Sequence, residues 1–426
     1  MEQKISNTGK LKQWMRTLVT GLLPTGRERS GLTLKLFNSW VENLTNSEDM
    51  LREFDQAGKT LIPSGEWLLD NIYFIKEQAL FVQQKWPRNN FRKLPRAQEE
   101  PQDVRIFGMC QTYLRLTDGH VEAQKTEDYL LELQKVTVLK MSELWAMPLF
   151  LRIALIENLS MVFTNILKQQ AAYRQAAELF ETWEPLLRLP GKLKQALESA
   201  DRTIVDLDPS FVDYIAARQR NYAEDTTLIQ AWLESKAETM GVSLNNIIAQ
   251  EHLRQAQDKA TVGNLITSLR TVAHWVWQDH FESLCHVEQI LRQDPLGVYG
   301  AMDFASRNHM RQVVEESARR LKVSEIHLAK TVLSLTLEAP RSEQKDARQQ
   351  HVGYYLLNFR GLQELHYAFK ARLSWRSLLV YWSKEHPIVL YLILLSAFLA
   401  TFMLGFIGWE QGFKQLKVST LIVVCL

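Results

Sequence analysis

Two aspartates are the clearest candidates for metal chemistry in this sequence. Asp206 and Asp208 form an Asp-x-Asp pair, the spacing with which nucleotide-sugar transferases hold a metal and a diphosphate. Pro209 follows directly, and an aspartate before a proline in the first turn is typical of a helix start. No glycine-rich stretch or long β run surrounds the pair. We therefore interpret Asp208 as a helix cap rather than a metal ligand.

A second group combines a carboxylate, a thiol and an imidazole. Glu282, Cys285 and His286 fall on one face of a predicted helix, where they could ligate a metal. A tetrahedral site needs a third or fourth ligand in fixed geometry, so the group alone favours packing. Cys110 and Cys425 lie far away, and the spacing matches neither a zinc site nor a disulfide framework.

Two tryptophans, Trp275 and Trp277, are a candidate surface for stacking a sugar. Residues two apart on a helix point about 200° apart. If this stretch is helical, as its pattern predicts, the two rings cannot form one platform.

Two charged residues lie within the most apolar helix predicted before residue 380, which covers residues 137–168. Its apolar side chains extend nearly round the helix, so we expect a central position covered by neighbours. Pro148 should kink this helix or mark its start. Arg152 and Glu157 are expected to reach structural partners or solvent. The alternative is a polar pocket inside the helical bundle.

The elements around these residues predict an all-α fold. Glycine and proline are sparse, 18 and 12 in 426 residues, and alternating strand-like runs are few. Serines and aspartates precede several apolar stripes as predicted helix caps: Ser64, Ser243, Asp303 and Ser324. A short helix around Leu32–Trp40 should end before Thr45. On the next helix, one face carries Trp67, Asn71, Phe74, Ile75 and Gln78.

Fifty Lys and Arg against 48 Asp and Glu give a net charge of +2. Because no strong electrostatic field results, we expect no nucleic-acid partner. The predicted organisation has five parts: a charged N-terminal segment (1–60), a helical domain (61–340), a juxtamembrane segment (341–387), a transmembrane helix (388–408) and the start of a second apolar segment (418–426).

The transmembrane prediction rests on residues 388–408, an uncharged run of 21 residues. At about 1.5 Å per residue, a helix of this length crosses a hydrocarbon core about 30 Å thick. In the twenty residues before the run lie four cations, Lys370, Arg372, Arg376 and Lys384, against Lys414 and Lys417 after it. This bias predicts that the preceding residues are cytoplasmic. Residues 418–426 begin another apolar run too short to span, which predicts a fragment of a longer membrane protein.

Four stretches resemble the N-terminal region of the cyclic β-1,2-glucan synthases, large bacterial inner-membrane proteins. They are LLDNIYFIKEQ (68–78), ELWAMPLFLRIALIENL (143–159), VGNLITSLR with DPLGVYGAMDFASRNHMRQVVE (between 262 and 315), and HVGYYLL (351–357). The resemblance covers most of residues 64–360 and none of residues 1–60.

This resemblance implies a polytopic parent protein with a cytoplasmic N-terminal region. It also implies a glucosyltransferase module that uses UDP-glucose and a divalent metal, and a phosphorylase-like module near the far C-terminus. Neither module fits within 426 residues. Thr126, Glu127 and Asp128 stand in the order of a Thr-Glu-Asp acid/base signature but are not convincing as one, and the sequence shows no Gln-x-x-Arg-Trp acceptor motif. We therefore assign no catalytic, cofactor-binding or metal residue in this chain.

Three functions remain open from the sequence. The first is a structural or regulatory part of a glucan synthase, with the membrane and the parent's catalytic modules as partners. The second is an independent, membrane-anchored helical interaction protein. The third and weakest is an all-α carbohydrate-active enzyme, which would need paired carboxylates across a cleft.

Overall fold

A computed structural model shows an all-α protein, as the sequence predicts. It describes residues 32–56, 61–86, 94–96, 104–204, 207–220, 222, 225–338, 347–371 and 386–424, with backbone only from 407. These residues form 17 α-helices and no strand beyond an isolated bridge between Arg96 and Val104. The predictions for residues 1–31, most of the 86–103 connector, Asp206, residues 339–346, residues 372–385 with three of the four cations before the apolar run, and Cys425 fall outside the described residues.

The chain divides into two compact units between Leu284 and Cys285. This division lies within the predicted 61–340 domain, whose boundaries stay a prediction. The first unit contains ten described helices: α1 (Leu34–Gln56), α2 (Pro63–Lys85), α3 (Arg105–Leu116), α4 (Ala123–Gln134), α5 (Met141–Trp183), α6 (Pro190–Thr203), α7 (Pro209–Gln219), α8 (Thr227–Thr239), α9 (Leu244–His274) and α10 (Trp277–Leu284).

The predicted core helix, α5, is the centre of the first unit. It extends over 43 residues and contacts α1, α2, α3, α7 and α9. Its first half is apolar on every side, and the fully buried side chains include Leu151, Ile153, Ile156 and Leu159. Such a helix is stable in water only when neighbours cover it all round. Pro148 lies inside the helix and does not mark its start, which is at Met141.

The second half of α5 belongs to another apolar cluster in the same unit. Phe180 and Trp183 pack there with residues of α6, α7, α8 and the first turns of α9, including Leu197, Phe211 and Leu233. The long helix therefore joins two cores.

The second unit contains the remaining seven described helices. They are α11 (His286–Leu291), α12 (Val298–Ala301), α13 (Phe304–Leu321), α14 (Glu325–Glu338), α15 (Val352–Leu357), α16 (Phe359–Ala368) and α17 (Pro387–Val424). The predicted caps are confirmed at α13 and α14. Asp303 accepts the backbone N–H groups of Ala305 and Ser306 at 3.1 and 3.4 Å, and Ser324 accepts that of His327 at 3.1 Å.

Three local predictions differ from the structure. Helix α1 does not end before Thr45 but continues to Gln56, because Leu44, Leu51 and Phe54 extend its buried stripe. Ser64 is not the cap of α2, which starts at Pro63, where a missing N–H costs nothing. For residues 226–253 the sequence predicts two helices divided at residues 241–243; the second, α9, continues from its Ser243 cap through His274 instead of ending near Leu253.

Two helices of the described chain are long and apolar enough to cross a membrane. One covers Met141–Leu186 and is largely buried, as expected of a core helix. The other is Pro387–Phe406, 20 residues with a mean hydropathy of 2.4 and none of its length buried. The second corresponds to the predicted transmembrane helix.

Candidate functional site

Arg152 is a structural residue that joins three helices of the first unit. Its Nε donates to Oε1 of Gln78 on α2 at 3.2 Å, and Nη2 donates to the carbonyls of Val272 and Ala273 at 2.8 and 3.3 Å. Those carbonyls lie in the last turn of α9, where no further helical N–H is available to them. Burial lowers the pKa of the guanidinium. The expectation of a structural partner for Arg152 is confirmed.

Glu157 also has a partner on a neighbouring helix. Nε2 of Gln111 on α3 donates to Glu157 Oε2 at 2.5 Å, and both side chains are more than nine-tenths buried. The alternative prediction, a polar pocket inside the helical bundle, also holds for Glu157. The side chains of Glu157 and Gln111 both line a cavity of about 290 Å³ between α3, α5 and α9. The sequence singled out Glu157 but not Gln111.

The polar pocket, as we call this cavity, has a mixed lining. The charged and polar residues are Gln111, Arg115, Asp118, Glu157, Asn158 and Thr261, and the apolar wall includes Leu114 and Leu265. Gln111, Glu157 and the apolar wall are buried, while Arg115 and Asp118 are exposed and form the rim. The pocket thus offers hydrogen-bonding groups at its floor and both signs of charge.

A strained turn holds the rim in place. Asp118 has φ +48° and Gly119 has φ +77°, both in the left-handed region. Nδ2 of Asn264 donates to the Asp118 carbonyl at 3.1 Å, and the Ser268 hydroxyl donates to the Gly119 carbonyl at 2.8 Å. Ser268 also accepts the N–H of Val121 at 2.8 Å. The Asp-Gly dipeptide is a turn signal that would have indicated this turn.

Two of the stretches that carry the family resemblance, 143–159 and VGNLITSLR, meet at this pocket. Glu157 and Asn158 end the stretch 143–159, and the VGNLITSLR stretch supplies Leu265 and the clamping residues Asn264 and Ser268. The face predicted on α2 lies along α9 as well: Arg270 donates to Asn71 Oδ1 at 2.6 Å, and the Trp67 ring packs over Gly263. In the first unit, these stretches thus lie where α2, α5 and α9 pack together.

Asp208 acts as the predicted helix cap. Its carboxylate accepts the N–H of Ser210 at 2.8 Å at the start of α7, with Pro209 in the first turn. The hydroxyl of Ser210 donates to the buried Glu251 of α9 at 2.8 Å, and Arg254 pairs with Glu251 at 2.5 Å. The carboxylates near Asp208 thus join α7 to α9. Within the described residues, no group of three His, Cys, Asp or Glu side chains could hold a metal.

The two tryptophans do contact each other, contrary to the helical expectation. Helix α9 ends at His274 and Trp275 has extended backbone angles, so the residues are not on one helix. The rings lie 4.9 Å apart at 88°, and His280 meets Trp275 edge to face at 5.4 Å. Nδ1 of His280 bonds Glu127 of α4 at 2.6 Å. Perpendicular rings offer no flat platform to a sugar, so this cluster serves packing.

Glu282, Cys285 and His286 do not share a helix face. Glu282 belongs to α10, which ends at Leu284, whereas Cys285 precedes α11 and is its N-cap residue. Burial raises the pKa of the Cys285 thiol to about 12, so the thiolate that a metal requires is strongly disfavoured.

A buried ionic cluster organises the second unit. Glu288 of α11 is fully buried and accepts from Arg311 Nη1 at 2.5 Å, Tyr299 Oη at 2.6 Å and Arg292 Nε at 2.7 Å. Arg307 Nε lies 3.4 Å from the same carboxylate. Burial and the adjoining Glu288 raise the pKa of the Tyr299 hydroxyl. The sequence did not single out Glu288, since three of its four partners, Tyr299, Arg307 and Arg311, lie beyond its own helix.

Asp294 joins the last two resemblance stretches. Its carboxylate accepts the N–H of Tyr299 at 3.3 Å and that of Val352 at 3.0 Å. His351 caps α15 by accepting the Gly353 N–H on its Nδ1 at 2.9 Å. A Cβ on Gly353 would lie 2.7 Å from that ring, which explains a glycine two residues after the histidine.

The comparisons agree with the resemblance. No protein-family model matches the chain. The cyclic β-(1,2)-glucan synthase NdvB of Rhizobium meliloti (strain 1021) is 28% identical over 323 residues. The match covers 73% of this chain and 11% of that protein. This chain is similar to a region of a glucan synthase. It therefore spans about a ninth of the length of that relative, and the relative's catalytic activity as a whole does not follow for this chain.

Proposed function

We propose that this chain is the N-terminal cytoplasmic and first membrane-spanning part of a cyclic β-1,2-glucan synthase, with a structural or regulatory role and no active site of its own. The observation that carries the proposal is the similarity over 73% of the chain to 11% of NdvB. Because the matching region is only 11% of the length of NdvB, most of the parent protein remains to hold the modules that transfer glucose.

The geometry supports a non-catalytic role. Glucosyl transfer needs a site for a diphosphate and a carboxylate base near the acceptor hydroxyl. Asp208 is engaged as a cap, and the buried carboxylates Glu143, Glu251 and Glu288 each pair with arginine. UDP-glucose and a divalent metal accordingly belong, in our proposal, to the parent's transferase module. That module and the phosphorylase-like module are the proposed partners, together with the membrane.

The location follows from the apolar helix and the flanking charges. We place α17 in the bacterial inner membrane and the helices that precede it in the cytoplasm, because the cations concentrate before the span. The exposed apolar surface of Pro387–Phe406 would be covered by lipid.

A second candidate is an independent membrane-anchored interaction protein. The closed core of the first unit favours it, since a body with its own core can fold alone. A stop codon directly after the Leu426 codon, with a stable product in cells, would favour this candidate over the first.

Two experiments test the main proposal. The purified chain, in detergent with radiolabelled UDP-glucose and divalent metal, should incorporate no label into glucan. Incorporation that is lost on Asp208→Ala would show an active site here.

In NdvB, deletion of the region that matches this chain should abolish glucan synthesis, and replacing that region by this chain should restore part of it. Full synthesis by the deletion protein would refute the structural or regulatory role.

A further inference from the structure

The polar pocket of the first unit is built as a ligand site. Its volume of about 290 Å³ is close to the lower end of small-molecule sites, about 300 Å³. A single small molecule fits such a space, whereas a nucleotide sugar or an oligosaccharide does not. The pocket opens at the Asp118 turn and closes on Gln111 and Glu157.

The floor of the pocket is costly for stability. Glu157 stands on α5 among residues such as Ile153, Ile156 and Leu159, which are fully buried apolar side chains. Placing a carboxylate and an amide here requires their desolvation, which an apolar pair of similar volume would avoid. The buried carboxylate of Glu157 therefore lowers the stability of the helix where it borders the pocket.

The backbone conformation at the rim of the pocket also lowers stability. A non-glycine residue at φ +48° is uncommon, and such strain is found at ligand-binding sites more often than elsewhere. Asn264 and Ser268 hold the turn through the Asp118 and Gly119 carbonyls. The strained conformation keeps the Asp118 side chain at the pocket mouth.

The lining indicates the class of ligand. Five side chains with planar polar groups line the pocket: those of Gln111, Arg115, Asp118, Glu157 and Asn158. Amide, carboxylate and guanidinium groups can each bond two neighbouring hydroxyls, and amides can both donate and accept. One cation against two carboxylates gives a net negative lining, which disfavours phosphate and diphosphate groups. A neutral polyol fits these features, with the apolar wall of Leu114 and Leu265 against its C–H face.

We propose that the polar pocket binds one glucopyranose unit. This inference rests on the proposed function for the choice of sugar, and on the pocket alone for the class of ligand. The ligand would contact α3, α5 and α9 together, so its binding would stabilise their packing by linkage.

The test is saturation-transfer-difference NMR with D-glucose as the probe. The full chain is held in a detergent without a sugar headgroup and in buffer free of glycerol. The first variant, Asp118→Gly with Asn158→Ala, removes two polar side chains without straining the backbone. Glycine accepts a positive φ, and among the described residues the Asn158 side chain bonds only the Ala154 carbonyl of its own helix. The matched control is Asn165→Ala, the same change on the same helix at an exposed position outside the pocket.

We expect transfer to glucose with wild type and the control, and binding about tenfold weaker with the first variant, the effect of losing about one charge-assisted hydrogen bond. Sophorose, the β-1,2-linked disaccharide, distinguishes free glucose from a chain end: comparable transfer through one of its rings would assign the site to a chain end. Absence of transfer from wild type, or equal transfer with all three proteins, would overturn the proposal. Such a failure leaves the deletion experiment in NdvB unaffected, so the two proposals fail separately.

Discussion

The second unit should depend on one buried carboxylate. Glu288 is fully buried and is approached by Arg311, itself 1% exposed, and by Arg292 and Arg307. The substitution Glu288→Gln keeps the volume of the side chain but removes its charge. Arg311 then remains buried opposite a neutral amide whose N–H₂ group cannot accept its hydrogen bonds.

The size of the effect follows from burial. Removing one partner of a buried ion pair costs about 3–5 kcal/mol, because the other charge is left uncompensated. The matched control is Glu316→Gln on α13. Glu316 pairs with Arg320 at 2.6 Å, but both side chains are about half exposed, 54% and 52%. Exposed pairs of this kind contribute about 0.2–1 kcal/mol.

Hydrogen exchange of the full chain, measured by mass spectrometry, reports the effect of both substitutions in the same peptide, Phe304–Leu321 of α13. Local opening free energies appear directly in exchange rates. Glu288→Gln should accelerate exchange of this peptide by about 10²-fold or more, and Glu316→Gln by less than about tenfold. If Glu288→Gln accelerates exchange no more than the control, the buried cluster does not hold the unit together and our reasoning is wrong.

Three further predictions follow from other contacts. Gly361→Ala should destabilise the α15–α16 pair by about 1–3 kcal/mol or more, because its Cβ would lie 2.2 Å from the Tyr354 carbonyl oxygen. Faster hydrogen exchange in the peptide Val352–Leu357 would report this loss. The control Gly300→Ala, whose Cβ would have open space around it, should be nearly neutral. Burial raises the pKa of Glu48, but hydrogen bonds from Lys76 and Arg52 outweigh it and lower the pKa overall. Its stabilisation is therefore present at neutral pH and lost as the pH falls below about 4.3. Lys76→Met should flatten this acid dependence of the urea midpoint, and an unchanged dependence would contradict the assignment. A periplasm-active reporter fused to the N-terminus should be inactive; strong activity would reverse the proposed orientation.

Local signals in the sequence predicted much of the fold. The caps at Asp208, Ser243, Asp303 and Ser324 and the apolar core of α5 are present in the structure. They depend on contacts within one helical turn or on one helix's own periodicity, which the order of residues contains directly. The glucan-synthase resemblance was equally visible, because it resides in contiguous stretches.

Long-range pairs were beyond the sequence. Gln111 and Glu157 are 46 residues apart, and nothing in their local pattern indicates that they face the same cavity. The cluster around Glu288 likewise joins residues from three helical segments. At Trp275 the helical pattern continued while the chain itself turned, so the contact between the two tryptophans was missed.

The sequence by itself therefore determined the all-α class, the central apolar helix, most of the predicted caps, the apolar C-terminal helix and the family resemblance. Only the tertiary structure decided which polar side chains meet, where the polar pocket lies and which acidic residues are structural. The physical reason is that a helix specifies its own hydrogen bonds within four residues. The partner of a buried charge, in contrast, is set by how helices pack, and packing depends on the shapes of all the side chains at the contact.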